Sequence, residues 1–156
     1  MISVWKRYRR LTRRERNDLL LGFVLLPTAV VFVRMFGIRR WQRTAEARRG
    51  NESGDGGKTD VATLNEARAT ARMLDAASRY GVVRGNCLSQ SVALLWLLRR
   101  RGLPGELRIG ARRIGSELEA HAWVELRGEI VNDAEDVRES YATFREPMTS
   151  QIAARK

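Results

Sequence analysis

Residues 117–126, ELEAHAWVEL, carry the pattern that most constrains how this chain folds. Aliphatic side chains recur there at every second position, and residues two apart share a face only in an extended chain. The aliphatic set is Leu118, Ala120, Ala122, Val124 and Leu126, and the opposite set is Glu119, His121, Trp123 and Glu125. This alternation predicts a β-strand. A turn at Gly128 and the following EIVND predict a returning strand and hence an antiparallel hairpin.

Two amphipathic helices are predicted before this hairpin, with a short strand, GELRIGAR, in between. The first helix follows a cap at Thr59 or Asp60 and ends near Gly81. Its apolar residues recur at helical spacing, at Val61, Leu64, Ala67, Ala71, Leu74 and Ala77. The second begins at Asn86 and stops at Gly102.

The only cysteine of the chain, Cys87, lies at the start of the second predicted helix. Unpaired backbone N–H groups and the helix dipole favour a thiolate at such a position. A lone cysteine at the edge of an apolar helix is nevertheless more often a packing residue. The only histidine, His121, is also more often structural than catalytic when it is considered alone. Cys87 becomes a candidate nucleophile only if a base and a carboxylate lie near it.

The hairpin loop decides whether Asp133 supplies that carboxylate. A three-residue loop at residues 126–128 places His121 directly opposite Asp133, and a glycine at its third position favours this register. A two-residue loop at residues 127–128 instead places Asp133 opposite Ala122 and on the other face. In the first register, the thiol, the imidazole and the carboxylate have the chain order and the roles found in cysteine proteases. We therefore predict a catalytic Cys, His and Asp.

Residues 1–49 differ from the rest of the chain in charge. They hold 13 Lys and Arg against 3 Asp and Glu, which gives +10 of the net +11. Thr12 and Glu15 form a capping-box start, and residues 19–33 form an uncharged apolar stretch of 15 residues. This stretch has three interpretations. It is a helical pair that is buried or lies on a membrane, a membrane span, or a signal peptide. The short length and Pro27 favour the pair, and no small-residue cleavage pattern follows.

The sequence divides into a basic helical segment at residues 1–49, a flexible linker at residues 50–58 and a catalytic domain at residues 59–156. The linker is rich in Gly, Ser, Asn and Asp and has no hydrophobic residue. A single cysteine excludes a disulfide scaffold and is typical of a reducing cytosol. One His and one Cys do not match the usual zinc motifs, so no metal is expected. The basic segment shows no nucleic-acid recognition motif.

The stretch CLSQSVALLWLLRRRGLPGELRIGARR, the strand EAHAWVEL and the sequence VND resemble a known family. They are similar to the transglutaminase-like cysteine protease domain of lasso peptide biosynthesis B proteins, in the split form that lacks the leader-recognition domain. The resemblance covers residues 59–147, and its most specific parts are a Ser four positions after the Cys and an Asp twelve positions after the His. It implies a papain-like or transglutaminase-like α+β core. It also implies that Cys87, His121 and Asp133 form the catalytic triad.

The resemblance implies a cytoplasmic leader peptidase that acts on a ribosomally made precursor peptide and needs no cofactor. Its implied partners are an ATP-dependent lasso cyclase, which closes the macrolactam, and a separate small leader-recognition protein, because no winged-helix domain precedes the protease domain. Two alternatives stay open. One is acyl transfer to an amine by the same triad, and the other is a non-catalytic protein whose basic segment binds nucleic acid or anionic lipid. A peptidase of this kind could also contact a membrane surface peripherally through residues 1–49.

Overall fold

The computed structural model of the chain describes residues 8–46, 60–83 and 85–143. The elements are helices α1 (Arg13–Glu46), α2 (Val61–Tyr80) and α3 (Cys87–Arg100), strands β1 (Gly105–Ile114), β2 (Glu117–Leu126) and β3 (Glu129–Ile130), the short helix α4 (Val137–Ser140) and strand β4 (Ala142–Thr143). Within these residues, four strands form one antiparallel sheet in the order β3-β2-β1-β4. The predicted α+β class is confirmed. The predicted linker, residues 50–58, lies outside the described residues.

Helix α1 is one continuous helix, so the predicted helical pair is wrong. The backbone N–H of Glu15 donates to Thr12 Oγ1 at 3.2 Å, and that of Thr12 donates to the Glu15 carboxylate at 2.8 Å, which confirms the capping box. Pro27 lies inside the helix without ending it, although it gives no N–H to the carbonyl four residues earlier. The hydroxyl of Thr28 donates to the carbonyl of Leu25 at 2.8 Å. Packing on both sides of Pro27 holds the helix together.

One face of α1 packs on the rest of the molecule. Leu26 and Ala29 are 1% and 8% exposed and share a single core with α2, α3 and the sheet. Gly22 allows α1 to approach α2 closely, because a Cβ at this position would lie 2.7 Å from Ala77 Cβ. Helix α1 is therefore part of the same folded unit as the predicted catalytic residues.

The other face of α1 is apolar and exposed, at Leu20, Val24, Val31 and Met35. Within Arg13–Met35, an 18-residue window has a mean hydropathy of 1.9, and 17% of that window is buried, so by length and composition this part of the helix could cross a membrane. The core helix of a soluble protein and a signal sequence can have the same length and hydropathy. The packed face and this exposed face thus lie on opposite sides of one helix.

A buried ion pair joins the three long helices. Asp18 of α1 is 2% exposed, accepts a hydrogen bond from Thr70 Oγ1 of α2 at 3.0 Å and pairs with Arg101 at the end of α3. Arg101 also donates to Thr70 Oγ1 at 2.6 Å. A buried carboxylate is stable only when it is paired and hydrogen-bonded, so these partners fix where α1 docks.

Helices α2 and α3 follow the predictions closely. Asp60 precedes α2 as its N-cap residue, although its side chain makes no capping hydrogen bond, and Gly81 follows its last turn. Asn86 caps α3, because its side-chain oxygen accepts the backbone N–H of Ser89 at 2.9 Å. Gly102 ends α3 in the left-handed region with φ 74°, as a helix stop requires.

The β2–β3 hairpin contradicts the predicted register. Its loop has two residues, Arg127 and Gly128, with φ 50° and φ 88°, and Leu126 pairs with Glu129. Both central residues of a two-residue hairpin turn adopt positive φ because this matches the twist of the flanking strands. Arg127 accepts that conformation, which sequence reasoning did not expect of a non-glycine residue. The predicted three-residue loop is therefore wrong.

Strand β2 is buried on both faces along its second half. Trp123 and Glu125 are 0% and 3% exposed, although they lie on the face opposite the aliphatic one. Trp123, Ile130, Val137 and Tyr141 form a second core cluster on this face. Leu118, which belongs to the aliphatic set, is instead 72% exposed. The alternation therefore identified the strand correctly but not which of its residues are buried.

Candidate active site

Cys87 is the first residue of α3 and is half-buried, with a free thiol. Asn86 caps the helix immediately before it, and the side chain of Cys87 packs at the edge of the main core. Backbone N–H groups at a helix start and the helix dipole favour negative charge at this position. The predicted placement of the thiol in the first turn is confirmed. Its chemical role stays a prediction.

His121 and Asp133 are in contact, with 2.5 Å between His121 Nε2 and Asp133 Oδ2. Their side chains are 23% and 26% exposed, which leaves the pair open to solvent on one side. The other carboxylate oxygen of Asp133, Oδ1, accepts the backbone N–H of Ala134 at 2.8 Å and so holds the carboxylate in place. The predicted contact forms even though the predicted hairpin register is wrong.

The chain reaches this contact by leaving the sheet early. The backbone N–H of Val131 still donates to the carbonyl of Val124 at 3.0 Å. The N–H of the same residue, Val124, bonds to a side chain instead of to the backbone of the returning strand. Asn132 Oδ1 accepts this N–H at 2.7 Å. The backbone then bends at residues 131–133 and brings Asp133 to His121. The side chain of Asn132 therefore takes the place of a backbone carbonyl at the point where the chain leaves the sheet.

Asn132 and Ser91 connect the cysteine helix to the histidine strand. Ser91, which is fully buried, donates from Oγ to the carbonyl of Ala122 at 3.0 Å, and Asn132 Nδ2 donates to Ser91 Oγ at 3.1 Å. Ser91 follows Cys87 by one helical turn, and Ala122 follows His121 directly, so this network docks the Cys87 face of α3 on β2 beside His121. Among the described residues, the thiol makes no hydrogen bond, and catalytic hydrogen bonds often tighten only when substrate binds.

Tyr141 covers the imidazole. Its ring stacks on His121 with centroids 4.9 Å apart, and the guanidinium of Arg112 lies 4.6 Å from the Tyr141 centroid. Gly110 pairs with His121 across β1 and β2 and makes this possible, because a Cβ there would lie 2.8 Å from Tyr141 Cβ. Burial raises the pKa of the Tyr141 hydroxyl and the Glu119 carboxylate acts in the same direction, against the charge of Arg112. Tyr141 is therefore a neutral wall of the site.

A buried carboxylate, Glu125, organises the layer beneath His121. It accepts hydrogen bonds from Trp123 Nε1 at 3.0 Å, Arg108 Nε at 3.0 Å and Arg138 Nε at 2.9 Å. Burial alone would raise the pKa of Glu125, but the hydrogen bonds from Arg138 and Trp123 and the charges of both arginines lower it. Trp123, whose ring centroid is 6.2 Å from that of His121, is held in place by this ionised carboxylate.

Sequence reasoning noted Ser91 only as part of the family resemblance and gave it no role, and it missed the roles of Asn132, Tyr141 and Glu125. Two of them had a local signal, since Ser91 is a polar residue within an apolar helical run and Asn132 directly precedes the predicted triad Asp. Tyr141 and Glu125 act through contacts between distant segments, which periodicity does not reveal. No cluster of three or more His, Cys, Asp or Glu side chains that could hold a metal ion occurs in the part of the chain that the structure describes.

Comparison of the sequence with known proteins identifies a family for the chain. Residues 28–146, more than half of the chain, match the profile of the Transglutaminase-like superfamily. Over 65 residues the chain is 32% identical to the microcin J25-processing protein McjB of Escherichia coli. That alignment covers 42% of this chain and 30% of McjB, so the chain spans less than a third of the relative's length. No solved structure matches the chain.

Proposed function

The chain belongs to the transglutaminase-like superfamily, and from that membership we propose that it is a cysteine peptidase of lasso peptide biosynthesis that removes the leader from a precursor peptide. The observation that carries the proposal is the His121–Asp133 contact on the strand against which the Cys87 helix docks. The likeness to a protein described as processing microcin J25 supports the peptide class of the substrate. A purely structural role would not require an imidazole and a carboxylate to be in contact at this place.

The proposed reaction begins with the thiol of Cys87. His121 Nδ1 takes the thiol proton, and the resulting thiolate attacks the scissile carbonyl carbon to form a tetrahedral intermediate. The N–H of Cys87 at the helix start is the first candidate to stabilise the oxyanion. The intermediate collapses with cleavage of the C–N bond, and the proton on His121 passes to the departing amine. That amine is the new amino terminus of the core peptide.

Water then releases the leader. His121 takes one proton from the water, the oxygen attacks the thioester carbonyl, and the leader leaves as a carboxylic acid while the thiol is restored. Asp133 keeps Nε2 of the imidazole engaged throughout, so Nδ1 is the nitrogen left for the proton transfers. Its carboxylate also stabilises the positive charge that forms on the ring. Asp133 therefore orients the base and does not take up the proton itself.

The proposal includes the partners that the family resemblance implies. A separate small protein presents the leader, and an ATP-dependent cyclase uses the freed amine to close the macrolactam. The reaction takes place in the cytoplasm, where the single cysteine stays reduced. The genes beside this one test the assignment: a short precursor gene, a small leader-binding protein and an amidotransferase-like cyclase are expected there.

The direct experiment is cleavage of the precursor encoded beside this gene, followed by mass spectrometry with the leader-binding partner present. The unmodified chain should release the leader with a free carboxylate, and Cys87→Ala should release none. Ser116→Ala is the control, since Ser116 is exposed in the turn between β1 and β2, and it should leave cleavage unchanged. Full cleavage by Cys87→Ala would end the cysteine peptidase assignment. Transfer of the leader to an added amine in place of water would favour the acyl transferase.

A further inference from the structure

The exposed side of α1 carries a continuous row of apolar side chains. Leu20, Val24, Val31 and Met35 are each more than half exposed, and we call this row the apolar stripe. At 3.6 residues per turn these positions fall within about 60° of one another, and they extend for about 23 Å along the helix. Leu26 and Ala29, which pack in the core, lie on the opposite side. A helix that is apolar on both sides needs a second covering surface.

The exposed part of α1 between residues 20 and 33 offers no free polar side chain to a partner. Thr28 is the one exposed polar residue there, and its hydroxyl donates to the carbonyl of Leu25 within the helix at 2.8 Å. Interfaces between proteins usually contain hydrogen bonds as well as apolar contacts. A surface with apolar contacts alone is better matched to the hydrocarbon of a lipid bilayer.

Positive charge borders the apolar stripe at both ends. Arg13 lies two turns before its first residue on the same side of the helix, Arg34 lies beside its last residue, and both are exposed. Between residues 16 and 45 the only acidic residue of the sequence is Asp18, which is buried and paired. Apolar side chains flanked by arginines complement a bilayer whose headgroups carry negative charge.

A recess at the start of the stripe presents both kinds of group together. Its volume is about 300 Å³, and it is lined by Tyr8, Arg13, Arg16, Asn17 and Leu20. A guanidinium binds a phosphate through two parallel hydrogen bonds. The two arginines therefore suit the phosphate of a lipid headgroup, and Leu20 leads from there to the apolar stripe.

Packing determines how α1 can meet a bilayer. Its other side is covered by α2 and α3, and α2 carries exposed charges such as Arg72 and Arg79. A spanning α1 would bring these charges into hydrocarbon at a high cost in free energy. The compatible arrangement is a helix that lies in the plane of the interface with the stripe inserted. Packing and membrane contact then use opposite sides of α1 and occur in the same molecule.

We propose that the exposed side of α1 binds the surface of an anionic membrane and holds the folded protein there. The apolar stripe enters the boundary between headgroups and acyl chains, and Arg13, Arg16 and Arg34 bind the headgroups. The partner is the lipid surface itself, such as the negatively charged cytoplasmic leaflet. The proposal does not depend on the peptidase assignment, because it uses neither Cys87 nor His121.

Flotation of the purified full-length chain with lipid vesicles tests the proposal without any substrate. The chain should float with vesicles of phosphatidylcholine and phosphatidylglycerol at low salt, and far less at high salt or with phosphatidylcholine alone. Leu20→Glu should lower the partition coefficient about tenfold, because it places a charge where the stripe enters the membrane. Leu118→Glu is the matched control, since it makes the same change at an exposed leucine of β2, and it should float like the unsubstituted chain.

Two further variants separate the apolar from the electrostatic part. Val31→Glu should weaken binding as Leu20→Glu does, and circular dichroism should show that both variants stay folded. Arg34→Gln should lower the partition coefficient about fivefold, while Arg113→Gln, at an exposed arginine of β1, should leave it unchanged.

Three results would overturn the proposal. One is a chain that floats with neither kind of vesicle, and another is equal flotation with and without phosphatidylglycerol. The third is equal flotation of Leu20→Glu, Val31→Glu and Leu118→Glu. If sedimentation instead shows a dimer that Leu20→Glu disrupts, and no vesicle binding, the stripe is covered by a second copy of the chain and the membrane proposal is wrong.

Discussion

At the scale of single residues, the imidazole of His121 has one nitrogen engaged and one available. Nε2 contacts Asp133 at 2.5 Å, which fixes the ring orientation and leaves Nδ1 for proton transfer. The stacked ring of Tyr141 restricts rotation of the same imidazole. Orientation and tautomer are thus set by two neighbours that lie on different segments of the chain.

Removing either member of this pair should stop catalysis without unfolding the chain. His121→Ala should lower kcat/KM for precursor cleavage by about 10²–10⁴-fold, the usual contribution of a general base. Asp133→Asn should lower it by about 10²-fold or more, because the amide allows the wrong tautomer. Asp136→Asn is the control, since Asp136 is exposed and its side chain makes no capping hydrogen bond. Equal activities of the two Asn variants would contradict the role of Asp133. Circular dichroism should show unchanged secondary structure in all three.

Glu125 should stabilise the fold in a pH-dependent way. Its pKa is lowered by Arg138, Trp123 and Arg108 in spite of burial, so its contribution is present above its ordinary value near 4.5 and is lost as the pH falls through the lower folded value. Glu125→Gln should cost about 2 kcal/mol in urea unfolding at pH 7. The difference from the unsubstituted chain should shrink below about pH 4.5. Glu117→Gln, on an exposed end of the same strand, should change nothing, and a pH-independent loss in Glu125→Gln would contradict this account.

At the scale of elements, the Asp18 ion pair decides how α1 docks on α2 and α3. Asp18→Ala removes the acceptor for Thr70 and leaves the guanidinium of Arg101, whose side chain is 19% exposed, without its buried partner. Loss of one partner of a buried pair costs about 3–5 kcal/mol. Asn17→Ala, one residue earlier and exposed, should cost far less. Chemical denaturation measures both, and equal stabilities would contradict the role of the Asp18 ion pair in docking α1.

The helices were predictable from the sequence because their signals are local. Asn86 caps α3 and Gly102 ends it as expected, since capping and positive φ are properties of the residues themselves. The hairpin register was not predictable, because it depends on Arg127 accepting positive φ and on the Asn132 side chain replacing a backbone group. The pairing of His121 with Asp133 was reached in the prediction through a register that does not exist. Long-range packing, such as Tyr141 on His121, has no signal in local periodicity.

At the scale of the whole molecule, removing residues 1–58 tests whether α1 belongs to the enzyme or only anchors it. Leu26 and Ala29 cover core surface of α2 and α3, so a chain that starts at Thr59 should be insoluble or inactive. Solubility and cleavage of the precursor are the measurements. If the shortened chain stays soluble and fully active, and the full chain floats with anionic liposomes at low salt but not at high salt, α1 serves only as a membrane anchor through its exposed apolar face and its arginines. Each basic residue near such a surface contributes about 1 kcal/mol.

The central claim is that Cys87, His121 and Asp133 act as one unit, and alkylation of the thiol tests it without any substrate. Cys87 is the only cysteine, so the rate at which iodoacetamide adds one label to the whole protein reports on this thiol alone. At pH 7 the unsubstituted chain should react about tenfold faster than free cysteine, because the helix start and the imidazole favour the thiolate. His121→Ala should lower the rate towards that of free cysteine, leaving only the contribution of the helix start. Equal rates for the unsubstituted chain, His121→Ala and free cysteine would contradict the account.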